Sequence, residues 1–191
     1  MNLFYEDYPK ILEVRGGFRP IITDFREYIR LLDMLKCKEL SPGQKRCLLQ
    51  EYFLDGDPVD EEAVAALTAF VLMEEDARQE ADSDADETEE TGGVRKHLFS
   101  YEIDYPYILA GFLRDYQIDL EAVPYLHWWK FRKLFEGLSE DTEIKRRIMY
   151  RGIELSDIKN KEERKRISKI QKAIRLPAEE LTDYDIGNAF G

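Results

Sequence analysis

The stretch from Leu120 to Leu138 constrains this chain more than any other. It carries both tryptophans, Trp128 and Trp129, one of the two histidines, His127, and the densest run of aromatics. Pro124 stands where a helix can begin, because its fixed φ suits the first turn and its missing N–H is not needed there. Gly137 stands where that helix can end in a left-handed residue. At roughly 100° per residue, Tyr125, Trp128, Phe131, Leu134, Phe135 and Leu138 form one wide apolar stripe, with His127 inside it. Leu126 and Trp129 fall outside, among Lys130, Lys133 and Glu136. The helix therefore has a core face and a second, smaller apolar spot. Packing against another helix would cover that spot, and so would a partner anchored on an exposed tryptophan.

At 191 residues and 43% hydrophobic content, the chain can bury a core as one domain or two small ones. No run reaches the length of a membrane span, and the first residues lack the order of a signal peptide. Cys37 and Cys47 accordingly read as reduced thiols in a cytoplasm. The formal charge of −12 is unevenly placed. Residues 74–90 hold ten acidic side chains and one arginine, a net of −9, so everything else carries only −3. From 74 to 93 no apolar periodicity remains and the stretch ends in Gly-Gly. Such a segment cannot bury enough surface to offset its ordering entropy, and it is expected to be a disordered acidic linker. Its functional alternative is to shield or compete for a basic site.

Before the linker, residues 11–22 alternate around Gly16-Gly17, a pair that predicts a tight hairpin with both glycines at positive φ. Thr23 is placed to cap a helix running to about Cys37, with Phe25, Tyr28, Ile29, Leu32 and Leu35 on one side. Ser41-Pro42 opens a second helix carrying Leu48, Leu49, Tyr52 and Phe53. Asp57-Pro58 or Asp60 opens a third with Val64, Leu67, Phe70 and Val71. After the linker, Asp104 can cap a helix bearing Tyr105, Ile108, Leu109, Phe112, Leu113 and Tyr116. Asp141 or Thr142 opens another, with Ile144, Ile148 and Met149 inward and Gly152 at its end. Asn160 with Glu163 resembles a capping box for a last helix.

That last helix has a narrow seam of Ile167, Ile170 and Ile174. Around it stand Lys159, Lys161, Arg164, Lys165, Arg166, Lys169, Lys172 and Arg175, against Glu162 and Glu163 alone. Three readings compete: a solvated helix packed through its isoleucines, a partner-binding helix, and a helix that neutralises phosphates. The last would use Arg164, Lys165, Arg166, Lys169 and Lys172, with no interleaved aromatic to stack on bases.

Catalytic constellations are not found. There is no glycine-rich phosphate loop, no nucleophile elbow and no paired cysteine spacing. His97 and His127 lie thirty residues apart without nearby ligands, so neither metal nor cofactor is expected. His127 is expected to be a core histidine donating to a backbone carbonyl.

The run Leu126-His127-Trp128-Trp129-Lys130-Phe131, then Leu134-Phe135-Glu136-Gly137-Leu138 and Met149-Tyr150-Arg151, resembles a family of phage and prophage proteins of Gram-positive bacteria. Tyr116-Gln117-Ile118-Asp119-Leu120, the preceding Phe112 and the early Thr23-Asp24-Phe25-Arg26 fit the same family. Its members are encoded in the tail module, close to the tape measure gene. The resemblance implies a tail assembly chaperone that coats the tape measure protein, brings tail-tube subunits to it, and is absent from the finished virion. It implies no catalytic residue; its signature positions here are His127, Trp128, Trp129 and Arg151.

The expected fold is mainly α, with a small N-terminal hairpin and two packed helical halves joined by the acidic linker. The halves span residues 1–73 and 94–176, with the linker at 74–93 and a loose tail at 177–191. The expected function is non-enzymatic, in the host cytoplasm, with the tape measure and tail-tube proteins as partners and no membrane. Nucleic-acid binding through the last helix is the alternative, and copy number is open, homo-oligomer included. Expected partner-binding residues are Leu126, Trp129, Arg151, Ile167, Ile170 and Ile174.

Overall fold

In a computed structural model of the chain, which describes residues 7–37, 39–73 and 98–177, the hairpin turns one residue earlier than the glycine pair suggests. Strand β1 (Ile11–Val14) pairs antiparallel with β2 (Gly17–Pro20), Val14 opposite Gly17. The two-residue loop is Arg15-Gly16, at φ 54° and 73°, the positive angles that a type I′ turn requires. Gly17 is an ordinary strand residue. Downstream pairing fixes this register, since Ile21 bridges Phe53 and the Leu54 N–H donates to the Pro20 carbonyl at 2.9 Å.

The helices start at polar caps, as the sequence predicts in kind. Helix α1 (Phe25–Lys36) is capped by Asp24 rather than Thr23, the carboxylate accepting from the Arg26 N–H. Helix α2 (Pro42–Leu49) has a full capping box between Ser41 and Gln44, and a short 3-10 turn follows at Gln50–Tyr52. Asp60 caps α3 (Glu61–Leu72), and Thr142 caps α6 (Glu143–Gly152). Helix α4 spans Tyr105–Tyr116, α5 Trp128–Glu136 and α7 Lys161–Ala173. Asn160 caps α7 by accepting from the Glu162 and Glu163 N–H groups. Seven α-helices and one two-stranded sheet thus make up the regular structure among the described residues, a mainly α fold with an N-terminal hairpin.

The Trp-Trp helix begins later than Pro124. Residues 125–127 are extended: the Phe25 N–H donates to Leu126, the Trp128 N–H donates to Thr23, and Asp24 bridges His127. Backbone pairing with the start of α1 takes the donors and acceptors that a first helical turn would have used. Gly137 is not left-handed. It leaves room instead, because a Cβ there would stand 3.0 Å from the Tyr116 hydroxyl and 3.3 Å from the Lys133 carbonyl.

The described residues form two compact units. The first contains those between 7 and 73 together with Tyr125–Arg132. The second contains 98–124 and 133–177. The Trp-Trp stretch, expected wholly in a C-terminal domain, is therefore shared, its first half belonging to the first unit. The first unit's core is Phe25, Tyr28, Leu31, Leu35, Leu67, Phe70, Trp128, Trp129 and Phe131; the second's is Ile108, Phe112, Leu120, Phe135, Leu138 and Ile144. Leu113 and Met149, expected inward, are about half exposed. The acidic linker, His97 and the tail beyond Pro177 lie outside the described residues.

Candidate functional site

Trp128 and Trp129 serve the first unit's own fold. A helix leaves its last four carbonyls without intrahelical donors. At the end of α3 two of them are met by indoles: Trp128 Nε1 donates to Val71 at 3.1 Å and Trp129 Nε1 donates to Phe70 at 2.9 Å. Both rings are buried, with Trp128 stacked near Tyr28 at 5.5 Å and Trp129 against Phe70 at 5.5 Å. His127 completes the cluster. Its Nε2 donates to the Pro9 carbonyl at 2.9 Å, and its Nδ1 accepts from the Trp129 N–H at 3.1 Å, which caps the first turn of α5. Its ring stacks on Tyr8 at 4.8 Å. Burial is the main reason its pKa lies below the usual histidine value, and the Pro9 hydrogen bond only partly opposes that. The neutral tautomer is the one this geometry needs.

Trp129, at 1% exposure, is thus a core residue and not an exposed anchor, and Leu126 beside it is buried as well. The expectation that both grip a partner is corrected here. Periodicity placed Trp129 off the main stripe correctly. It left open what covers that side, and the end of α3 does.

Arg151 is likewise internal. In the second unit its guanidinium donates to Asp104 Oδ2 at 2.5 Å and Oδ1 at 2.9 Å, to the Leu98 carbonyl at 2.9 Å and to the Ile174 carbonyl at 2.8 Å. Asp104 is fully buried and also accepts from the Ser100 N–H at 3.1 Å. Its side chain makes no cap bond to α4, contrary to expectation, because it turns to Arg151. A bidentate pair with further hydrogen bonds is the arrangement that makes a buried charge tolerable. One arginine thereby ties the segment at Leu98, the start of α4 and the end of α7. Arg151 cannot contact a partner from this position, and that expectation too is corrected.

Of the isoleucine seam, Ile167 is buried, whereas Ile170 and Ile174 are half-buried against the second unit. Gln171 between them donates to the Tyr150 and Ile153 carbonyls, both at 2.8 Å, and so caps the end of α6. The seam is mostly spent on packing. Arg164, Lys165, Arg166, Lys169 and Lys172 are all exposed.

Open apolar ground lies elsewhere, on the outer side of the hairpin. Cross-strand partners share a face, so Ile11, its partner Pro20, and Leu54 opposite Pro20 form one row, with Phe18 two residues along from Pro20. Ile11 is 51% exposed, Leu54 63% and Phe18 71%. The inner side is anchored by Leu12, Ile21 and Phe53, and by Arg19. The Arg19 guanidinium pairs with Asp55 at 2.7 Å and lies over the Phe53 ring at 4.2 Å. That pairing is the main reason Asp55's pKa falls to about 2. The patch is therefore backed by buried side chains and an ion pair. Ile11 and Phe18 sit on the hairpin phase shared with Glu13, and that signal was legible in the alternation.

Among the described residues, no three His, Cys, Asp or Glu side chains gather as a metal site. No helix there is long and apolar enough to cross a membrane. Cys37 and Cys47 are free thiols. The model for the family described as Bacteriophage Gp15 protein matches residues 5–176. The chain belongs to that family. The match takes in every element of both units, the Trp-Trp cluster and the Asp104–Arg151 pair included. No curated protein and no solved structure matches the chain.

Proposed function

We propose that this phage protein is a non-enzymatic tail assembly chaperone that binds the tape measure protein and helps recruit tail-tube subunits. It would act in the host cytoplasm and be left out of the mature virion. The resemblance of the His127-Trp128-Trp129 and Arg151 segments to tail-module proteins supports the setting. The observation that carries the binding function is the outer hairpin row of Ile11, Phe18 and Leu54, half or more exposed over a buried base. Contiguous exposed apolar side chains mark interaction sites, and an amphipathic client helix would lay its apolar stripe on such a surface. The client surface is thus reassigned from Trp129 and Leu126 to the hairpin.

The test is co-expression with the tape measure protein encoded by the same phage. The natural chain should keep that protein in the soluble fraction. A variant with Ile11→Ser, Phe18→Ser and Leu54→Ser, whose residues are already solvated, should lose that effect while keeping its helical circular dichroism. An unchanged soluble yield with the natural chain would remove the reading.

A further inference from the structure

In the second unit, α7 presents a cationic face that the rest of the unit does not use. Lys161, Lys165, Lys169 and Lys172 recur at intervals of four, four and three residues. These intervals place them in one outward stripe about 16 Å long at 1.5 Å per residue. Arg166 stands beside it, and all five are exposed. Between residues 159 and 175 eight cations face two acidic side chains, in a chain where acids outnumber bases by 40 to 28. Elsewhere arginines find carboxylates readily: Arg15 with Asp60, Arg19 with Asp55, Arg114 with Asp141 and Arg147 with Glu143. None of the eight cations around α7 forms an ion pair with the described residues. The helix is pinned from its other side through Ile167, through Gln171 and by Arg151 on the Ile174 carbonyl.

We infer that this lysine stripe binds the phosphate backbone of duplex DNA without regard to sequence. Protein interfaces are anchored chiefly on desolvated Trp, Tyr or Arg side chains, and the stripe of Lys161, Lys165, Lys169 and Lys172, with Glu162 beside it, offers none. A single strand would be held by stacking on aromatics, which are also missing from this face. A regular array of phosphates needs only evenly spaced cations, and counterion release supplies the affinity. The inference is independent of the chaperone reading, which rests on the hairpin of the other unit.

The test is fluorescence anisotropy of the full chain with two unrelated 30-base-pair duplexes. At 50 mM salt both should bind alike. Four phosphate contacts give a log–log salt slope of about −3.6, so affinity should fall roughly 150-fold between 50 and 200 mM salt. The quadruple variant Lys161→Gln, Lys165→Gln, Lys169→Gln and Lys172→Gln should lose at least about 30-fold at 50 mM, with circular dichroism and hairpin-dependent client binding intact. Absence of binding at 50 mM would overturn the inference, as would binding that the quadruple variant retains. Binding that appears only after the acidic residues between 74 and 90 are neutralised would overturn it as well, since the stripe would then be the seat of the chain's own acidic stretch.

Discussion

The two units bury polar side chains by opposite means. The first uses neutral donors on backbone carbonyls: the indoles of Trp128 and Trp129, the imidazole of His127, and the phenols of Tyr28 on Ile22 and Tyr52 on Glu27. Burial raises both phenols, Tyr52 to about 12, so they stay protonated as donors at any ordinary pH. The second unit uses full charges, with Asp104 and Arg151 both buried. A neutral donor can be deleted at the cost of at most one unmet carbonyl, and Phe70 would still accept from the Met73 N–H. Deleting one member of a buried ion pair strands the other charge, so the second unit should be much more brittle at its centre.

Arg151→Met gives the largest expected effect. It leaves the Asp104 carboxylate buried without its cation and removes donors from the Leu98 and Ile174 carbonyls. A loss of about 3–5 kcal/mol is expected in urea unfolding, with exchange protection falling first in α4, α6 and α7. Adding Asp104→Leu should restore most of it, because a buried pair is replaceable as a pair. A single variant that loses less than about 1 kcal/mol would erase the contrast between the units.

Next come Trp128→Phe and Trp129→Phe, each expected to cost about 1–3 kcal/mol through the lost N–H to the end of α3 and the volume removed. Hydrogen exchange should report this in the last turn of α3. If Trp129→Phe instead leaves stability unchanged and abolishes client solubilisation, the ring serves a partner after all.

What could be read in advance follows the same division. Local rules placed every described helix, because caps and apolar spacing are properties of adjacent residues. Asp60, Thr142 and Asn160 sit where they were sought. The larger errors were tertiary, and two were local: Asp24, not its neighbour Thr23, caps α1, and Gly137 is not left-handed. Asp104 is the N-cap residue of α4, but its carboxylate goes to Arg151, 47 residues away, and makes no cap bond. Pro124 looked like a helix start until the strand-like pairing of 125–127 with the start of α1 took those residues. For Trp129 two covers stayed open, another helix or a partner, because periodicity does not say which will arrive; the end of α3 does. The resemblance marked Trp128, Trp129 and Arg151 without saying why. The structure makes them fasteners of two separate cores.

His127 offers a smaller effect with a defined sign. Its folded pKa is lowered by burial, so the unfolded chain binds the proton more tightly. Stability is then complete above the ordinary histidine value of 6.5 and declines as pH falls through it toward the folded value. Protonation also removes the Nδ1 acceptor from the Trp129 N–H. Melting temperature measured from pH 7.5 down to 5 should decline for the natural chain. His127→Asn should flatten that slope at the cost of a lower plateau. An unchanged slope in the variant would assign the acid sensitivity to other groups.

The smallest effect concerns the turn beneath the proposed client surface. Arg15 occupies a left-handed position that costs a side-chained residue about 1 kcal/mol relative to glycine. It gains in exchange only ion pairs to Asp60 and Glu62, at 3.0 and 3.3 Å, from a side chain that is 64% exposed. Such pairs contribute little in water. Arg15→Asn creates the Asn-Gly sequence that a type I′ turn favours, and it should raise stability by about 0.5–1 kcal/mol in urea titrations. The rise should persist at high salt, where the lost pairs count for less. A fall in stability at low salt that vanishes in 1 M salt would reverse the ranking. It would mean that the surface charges around Asp60, and not the backbone angles of the turn, hold the hairpin in register over α3.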